Sequence, residues 1–146
     1  MHPYPHHYRA SAAANATGLV SVSSPETPAL TTAPPPEFDG PGGVWSPETL
    51  LVAAIADCFV LTFRAVARAG SLVWNQLECE VEGTLERAAG VTSFTKYVTR
   101  VVLRVPVGVD AAKATELLER AEKVCLVTNS LRGARSIACQ VVTDAA

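Results

Sequence analysis

Several features that mark common classes of protein are missing from this chain of 146 residues. It has no run of Lys or Arg and a formal net charge of -2, which argues against nucleic acid or an anionic membrane as the main partner. The GxGxxG, P-loop, CxxC, HExxH and GxSxG motifs are absent as well. We therefore expect neither a cofactor nor a bound metal.

Histidine is scarce, and His2, His6 and His7 all lie near the N-terminus. As a metal site they are weak, because a solvated terminus or the start of a strand accounts for them more simply. No other imidazole is available to activate a nucleophile. A Ser-His or Cys-His hydrolase is therefore nearly excluded, unless the N-terminus folds over the nucleophile.

No apolar signal segment is found in MHPYPHHYRA at the N-terminus. The longest apolar stretch, 50–63, is interrupted by Asp57, and we take it as too short to span a bilayer. We therefore expect a cytoplasmic protein, whose thiols stay reduced. The four cysteines are then buried hydrophobes, metal ligands or reactive thiols rather than a disulfide framework.

The chain has an apolar fraction of 49% and a charged fraction of 18%, which indicates one globular domain over residues 1–146. Alternating residues in 8–23, with a turn signal at 15–18, predict a hairpin of two short strands. A Pro-rich loop follows and encloses one short strand near 29–32.

A strong helix signal follows the Pro-rich loop. Ser46 suits the N-cap, Pro47 and Glu48 suit the first turn, and Gly70 ends the helix. The helix is apolar nearly all round, so we expect it to be the buried central helix of the fold.

The second half of the chain predicts two long strands, a helix and a closing strand. Because the long strands form a hairpin rather than alternate with helices, the class is α+β and not a Rossmann-type parallel sheet. The segments are strands at 74–87 and 94–107, a helix at 111–125 capped by Asp110, a connector at 126–134 and a strand at 136–142.

The cysteines are the remaining candidates for chemistry. Cys79 and Cys139 lie in alternating strands and are read as core residues. Cys58, in the middle of an apolar helix, would by itself more often be an inert core thiol. Cys125 ends a helix, where the negative helix terminus disfavours a thiolate, so it suits a resolving thiol better than a first nucleophile.

The segment WSPETLLVAAIADCF resembles the osmotically inducible protein C and organic hydroperoxide resistance (OsmC/Ohr) family. In that family a Pro-Glu pair opens a buried helix, and a reactive cysteine follows ten residues after the Glu; Glu48 and Cys58 match this spacing. AEKVCLVTNSL, around Cys125, resembles the second-cysteine segment of the family. PHHYRASA and FDGPGGVWSPE resemble its OsmC-like branch.

The resemblance implies an OsmC-like fold, with antiparallel sheets wrapped around the central helix in an intertwined homodimer. It implies a thiol peroxidase in which Cys58 attacks an alkyl or fatty-acid hydroperoxide and the resulting sulfenic acid forms a disulfide with Cys125. An external dithiol, carried by a lipoylated or thioredoxin-like protein, would then reduce that disulfide.

The resemblance also implies an arginine, held by the glutamate, beside the reactive thiolate. The first hairpin reads NATGLV and contains no arginine, so Arg9 is the nearest candidate, with Arg132 and Arg135 as alternatives; a surface salt bridge is the plainer account of each. Ten helical residues span roughly 15 Å, so Glu48 cannot touch Cys58 of its own helix, but it could reach Cys58 of a second subunit if two such helices pack antiparallel. A simple role in the helix dipole would also explain Glu48.

Two other functions remain open at this point. The fold could serve as a binding module for an apolar ligand, with the cysteines as packing residues. It could also act as a redox sensor or storage protein that forms the disulfide without rapid turnover.

Overall fold

The computed structural model describes residues 2–145. The chain forms two compact units, Met1–Leu51 and Val52–Ala146, with a three-stranded sheet in each. The mixture of helices with largely antiparallel strands confirms the α+β class. The interpretation of residues 1–146 as a single domain stays a prediction.

The first unit is built on a small antiparallel sheet. Its strands β1 (Ser11–Ala13), β2 (Val20–Ser23) and β3 (Leu30–Thr32) pair in that order, which confirms the predicted hairpin and the short strand after it. Gly18, in the turn between β1 and β2, has a φ of 95°, which glycine adopts without steric cost. A short 3₁₀ helix, Pro36–Phe38, lies in the Pro-rich segment.

Helix α1 (Pro47–Ala69) begins at the cap predicted from the sequence. The Thr49 N–H donates to Ser46 Oγ at 3.2 Å, and the Ser46 N–H donates to Thr49 Oγ1 at 2.9 Å. Two backbone donors at the start of the helix are thus satisfied reciprocally, as in a capping box. The cap fixes where α1 starts and therefore which residues share each of its faces.

The second unit contains a three-stranded sheet in the order β4-β5-β6. Strands β4 (Gln76–Ala88) and β5 (Val91–Val105) form the predicted antiparallel hairpin. Strand β6 (Ala134–Thr143) departs from the expected antiparallel pairing, since it runs parallel to β5. Helix α2 (Ala111–Val124) lies between β5 and β6 and carries the chain back to the end where β5 begins.

The core of the second unit forms where α1 and α2 pack against one face of the sheet. Phe59 and Phe63 of α1, Val101 and Leu103 of β5 and Leu118 of α2 are all nearly or fully buried. Cys79 and Cys139 lie opposite Val101 from the two flanking strands and pack against this core. Their predicted place among the core residues is confirmed.

Much of the apolar surface of α1 is uncovered within one chain. Its most apolar window of 18 residues has a mean hydropathy of 2.0, yet only 28% of that window is buried, and Leu61 is 52% exposed. The helix has 23 residues, so it is longer than the 50–63 stretch and, by length and composition alone, long enough to cross a membrane. Core helices of soluble proteins have the same length and composition.

The N-cap of α2 provides a test of the fold. Asp110 Oδ1 accepts hydrogen bonds from the backbone N–H groups of Ala112 (2.9 Å) and Lys113 (3.3 Å). We expect Asp110→Ala to lower the free energy of unfolding by about 1 kcal/mol, measured by denaturant titration, because both donors lose their partner. Asp110→Asn keeps the acceptor and is the matched control. Equal losses in the two variants would contradict a capping role.

Candidate active site

Cys58 lies near the middle of α1, at the border of the apolar core. Its side chain is half-buried, whereas Ile55 and Phe59, its neighbours on the helix, are only 1% and 2% exposed. The thiol is therefore set among apolar groups but still accessible to a small molecule.

Cys125 lies where α2 meets a one-turn helix that the sequence analysis treated as a connector, α3 (Leu126–Asn129). Cys125 is both the C-cap of α2 and the N-cap of α3, and its own backbone is in an extended conformation. Its side chain is 0% exposed. The Thr128 hydroxyl donates to Cys125 Sγ at 3.2 Å.

The second unit brings Cys58 and Cys125 together. The Cys125 side chain raises the pKa of the Cys58 thiol, so the two thiols are neighbours, and both are free. The backbone of Val127 lowers the pKa of the Cys58 thiol, and Thr62 Oγ1 lies 3.9 Å from its sulfur. Two neighbouring free thiols are the groups that thiol–disulfide exchange uses.

The electrostatic setting of Cys58 opposes ionisation. Burial raises the pKa of the Cys58 thiol above its ordinary value of 9.0, and the neighbouring Cys125 raises it further. The Val127 N–H and the Thr62 hydroxyl act in the opposite direction, since they donate to the thiolate. Within the second unit, none of the groups that act on this pKa is a cation.

Cys79 and Cys139 have no comparable donors. Burial raises the pKa of Cys79 to about 12, with a smaller contribution from the charge of Cys125. Burial also raises the pKa of Cys139, and Glu119 adds to the effect. Both thiols are therefore protonated at neutral pH and suited to packing rather than reaction.

The two alternative arginines of the second unit do not contact Cys58. Arg135 Nη1 donates to Asn129 Oδ1 at 2.8 Å, and its Nε lies 3.8 Å from Glu122 Oε1. These contacts tie the end of α3 and the last turn of α2 to the start of β6. Arg132 is exposed on the loop before β6.

Arg9 and Glu48 both belong to the first unit. Arg9 is exposed just before β1, and its backbone carbonyl accepts from Ser24 Oγ at 3.1 Å. Glu48 borders a mostly apolar groove of about 400 Å³, together with Val20, Val22 and Phe38. Glu48 Oε2 is buried there, and nothing in residues 2–145 donates a hydrogen bond to it. A buried carboxylate oxygen without a donor is energetically costly.

Three contributors to the site were not predicted from the sequence: Thr62, Val127 and Thr128. The signal that could have found the two threonines is their spacing, since each follows a candidate cysteine by about one helical turn. In the part of the chain from His2 to Ala145, no three His, Cys, Asp or Glu side chains are grouped as metal ligands.

Comparisons with known proteins show the family of the chain. The family model for OsmC-like proteins matches residues 40–140. The uncharacterized protein YmaD of Bacillus subtilis is 32% identical over 102 residues, which cover 68% of each protein. Among solved structures, an OsmC-like protein of Mycoplasma pneumoniae has a TM-score of 0.78 at 18% identity, covering 96% of this chain and 99% of that one.

Two further structures share the fold. The organic hydroperoxide resistance protein OsmC of Legionella pneumophila has a TM-score of 0.75 at 24% identity, covering 95% of this chain and 98% of that one. An organic hydroperoxide resistance protein of Elizabethkingia anophelis has a TM-score of 0.76 at 19% identity, covering 97% of this chain and 99% of that one. Since the family model spans well over half of the chain and YmaD matches two thirds of it, the chain belongs to the OsmC-like protein family.

Proposed function

We propose that the protein is a thiol peroxidase that reduces organic hydroperoxides, with Cys58 as the attacking thiol and Cys125 as the resolving thiol. The observation that carries the proposal is a half-buried thiol at the edge of an apolar core, next to a second thiol that is 0% exposed. The names of the Legionella and Elizabethkingia proteins support the same substrate class.

In the first step, the Cys58 thiolate attacks the terminal oxygen of the hydroperoxide, the one that carries the hydrogen. The O–O bond breaks, the sulfur is oxidised to a sulfenic acid, and the alcohol leaves after taking up a proton. The apolar neighbours around the half-buried Cys58 favour an alkyl or fatty-acid chain over a polar peroxide. The same apolar neighbours raise the free energy of the Cys58 thiolate. Hydrogen-bond donors around Cys58 are therefore needed to stabilise it.

In the second step, the Cys125 sulfur bonds to the Cys58 sulfur, and the hydroxyl of the sulfenic acid leaves as water with the Cys125 proton. An external dithiol then restores both thiols by exchange and becomes a disulfide itself. We assign this role to a lipoylated or thioredoxin-like protein. The cycle requires a reducing compartment, which is consistent with the cytoplasm.

A second copy of the chain would complete the site. Each copy leaves the apolar surface of α1 largely uncovered and leaves Glu48 Oε2 without a donor. In the homodimer that we propose, α1 packs against α1 of the other copy in the antiparallel direction. Glu48 then faces Cys58 of the second copy, and Arg9 is our candidate for the cation that Glu48 holds beside that sulfur.

One observation favours a second candidate function, a redox sensor or storage protein with little turnover. Burial and Cys125 raise the pKa of Cys58, and no group in the second unit brings a positive charge to it. A slow first step would follow if the homodimer did not supply the cation. In that case, one equivalent of peroxide would give the disulfide only slowly.

Substitution of the two cysteines tests the mechanism. We expect Cys58→Ser to abolish consumption of cumene hydroperoxide in a dithiol-coupled assay, because the nucleophile is lost. Cys125→Ser should keep a single turnover but leave Cys58 open to sulfinic and sulfonic acid formation, detected by mass spectrometry. Cys79→Ser is the matched control and should turn over like the parent. Parental turnover in Cys58→Ser would refute the mechanism.

The homodimer is tested through Leu61, which is 52% exposed on α1. Light scattering should give the mass of two chains for the parent and of one chain for Leu61→Glu, because a carboxylate would be buried in the interface. Val91→Glu, at a position 65% exposed next to the β4–β5 turn, is the matched control and should remain dimeric. A monomeric parent at micromolar concentration would rule out the shared site.

A further inference from the structure

A threonine hydroxyl lies about one helical turn beyond each of the paired cysteines. Thr62 follows Cys58 by four residues, with its Oγ1 3.9 Å from the sulfur. Thr128 follows Cys125 by three residues and donates to that sulfur at 3.2 Å. Each thiol that the proposed mechanism uses therefore has its own hydroxyl, and the two remaining cysteines do not.

The Thr128 hydrogen bond is not the usual one for a hydroxyl on a helix. Such hydroxyls commonly donate to the carbonyl four residues earlier. Thr115 donates to the Ala111 carbonyl at 3.0 Å, and Ser130 donates to the Leu126 carbonyl at 2.8 Å, both in this way. Thr128 instead donates to a sulfur. Thr128 is 4% exposed and Cys125 is 0% exposed, so water does not compete for this contact.

A donor held against a buried sulfur matters most when that sulfur carries charge. Hydrogen bonds to an ionised acceptor are roughly twice as strong as neutral ones, and a low local dielectric strengthens them further. The second unit brings no cation to Cys58. Within the second unit, negative charge on either sulfur is therefore stabilised by neutral hydrogen-bond donors.

We propose that Thr62 and Thr128 are separate thiolate-stabilising residues, Thr62 for the attack by Cys58 and Thr128 for the attack by Cys125. The inference deepens the proposed function and rests on it for the order of the two steps. Thr128 has the larger effect, because its hydroxyl is 3.2 Å from the sulfur and that of Thr62 is 3.9 Å.

The proposal assigns a defined task to Thr128 in the resolving step. Cys125 must give up its proton before its sulfur attacks Cys58, and the negative charge on that sulfur then moves onto the sulfenic hydroxyl, which leaves as water. The Thr128 O–H donates to that sulfur in the free-thiol state, and no bond to the threonine forms or breaks in the step. Loss of the hydroxyl should therefore slow disulfide closure and leave the attack on peroxide unchanged.

The test uses dithiobis(nitrobenzoate), which reports both sulfurs without any peroxide. The Cys58 thiolate attacks the reagent disulfide and releases one nitrothiobenzoate anion, leaving a mixed disulfide. Cys125 then attacks Cys58 of the mixed disulfide and releases the second anion as the protein disulfide forms. The two releases appear as two phases in one absorbance trace of the full-length protein, and Cys125→Ser should show only the first phase.

We expect Thr128→Val to slow the second phase about tenfold, the effect of ~1.4 kcal/mol, with the first phase within about twofold of the parent. Thr62→Val should slow only the first phase, and by a smaller factor than Thr128→Val slows the second. Thr128→Ser keeps the donor and should restore the second phase. In the Cys125→Ser background, which shows only the first phase, adding Thr128→Val should leave the rate of that phase unchanged.

An unchanged second phase in Thr128→Val, or equal slowing of both phases, would overturn the proposal. Circular dichroism checks the fold of each variant, and Thr128→Ala provides a second variant without the hydroxyl if the valine is poorly accommodated. The proposed function fails separately: if cumene hydroperoxide left Cys58 unoxidised while the two phases kept this pattern, the peroxidase role would be wrong and the roles of the hydroxyls would stand.

Discussion

The approach of the Cys58 sulfur to the Cys125 sulfur is the constraint on which the other features of the site depend. One sulfur lies on α1 and the other at the junction of α2 and α3, so their separation is set by how both helices pack on the sheet. Phe59 and Phe63 of α1 share one core with Val101 of β5 and Leu118 of α2. A disulfide needs Cβ atoms about 3.8 Å apart, so a small shift in this packing would separate the thiols. The core therefore acts on function directly, and not only on stability.

That packing creates an electrostatic conflict. The apolar surroundings that fix the two sulfurs also raise the pKa of Cys58, and each pKa unit costs about 1.4 kcal/mol in the free energy of ionisation. The unpaired Oε2 of Glu48 presents the same kind of conflict in the first unit. Among residues 2–145, no cation acts on the pKa of the Cys58 thiol, and no group donates to the buried Glu48 oxygen. One cation held between two copies of the chain would satisfy both groups, which makes an assembled site physically reasonable.

The sequence predicted local features well and tertiary ones less well. Ser46 and Asp110 are strong caps, and they located the starts of both long helices because capping depends on a few adjacent residues. The parallel direction of β6 was missed, since a strand has the same alternating pattern whichever way its neighbour runs. The pairing of Cys58 with Cys125 was expected only through the family resemblance. The Thr128 contact was missed because threonine on a helix commonly bonds its own backbone.

Burial, rather than acidity, decides which of the two thiols meets the peroxide in this mechanism. Cys125 is 0% exposed, so the groups that it can attack are those that the fold brings to it, and Cys58 is one of them. Cys58 is half-buried and can be reached from outside. An added cation would favour negative charge on both sulfurs, because Coulombic attraction acts over several ångströms. A hydroxyl acts only on the atom that it contacts, so under our proposal Thr62 and Thr128 would allow the two steps to be adjusted independently, while the difference in exposure would keep their order.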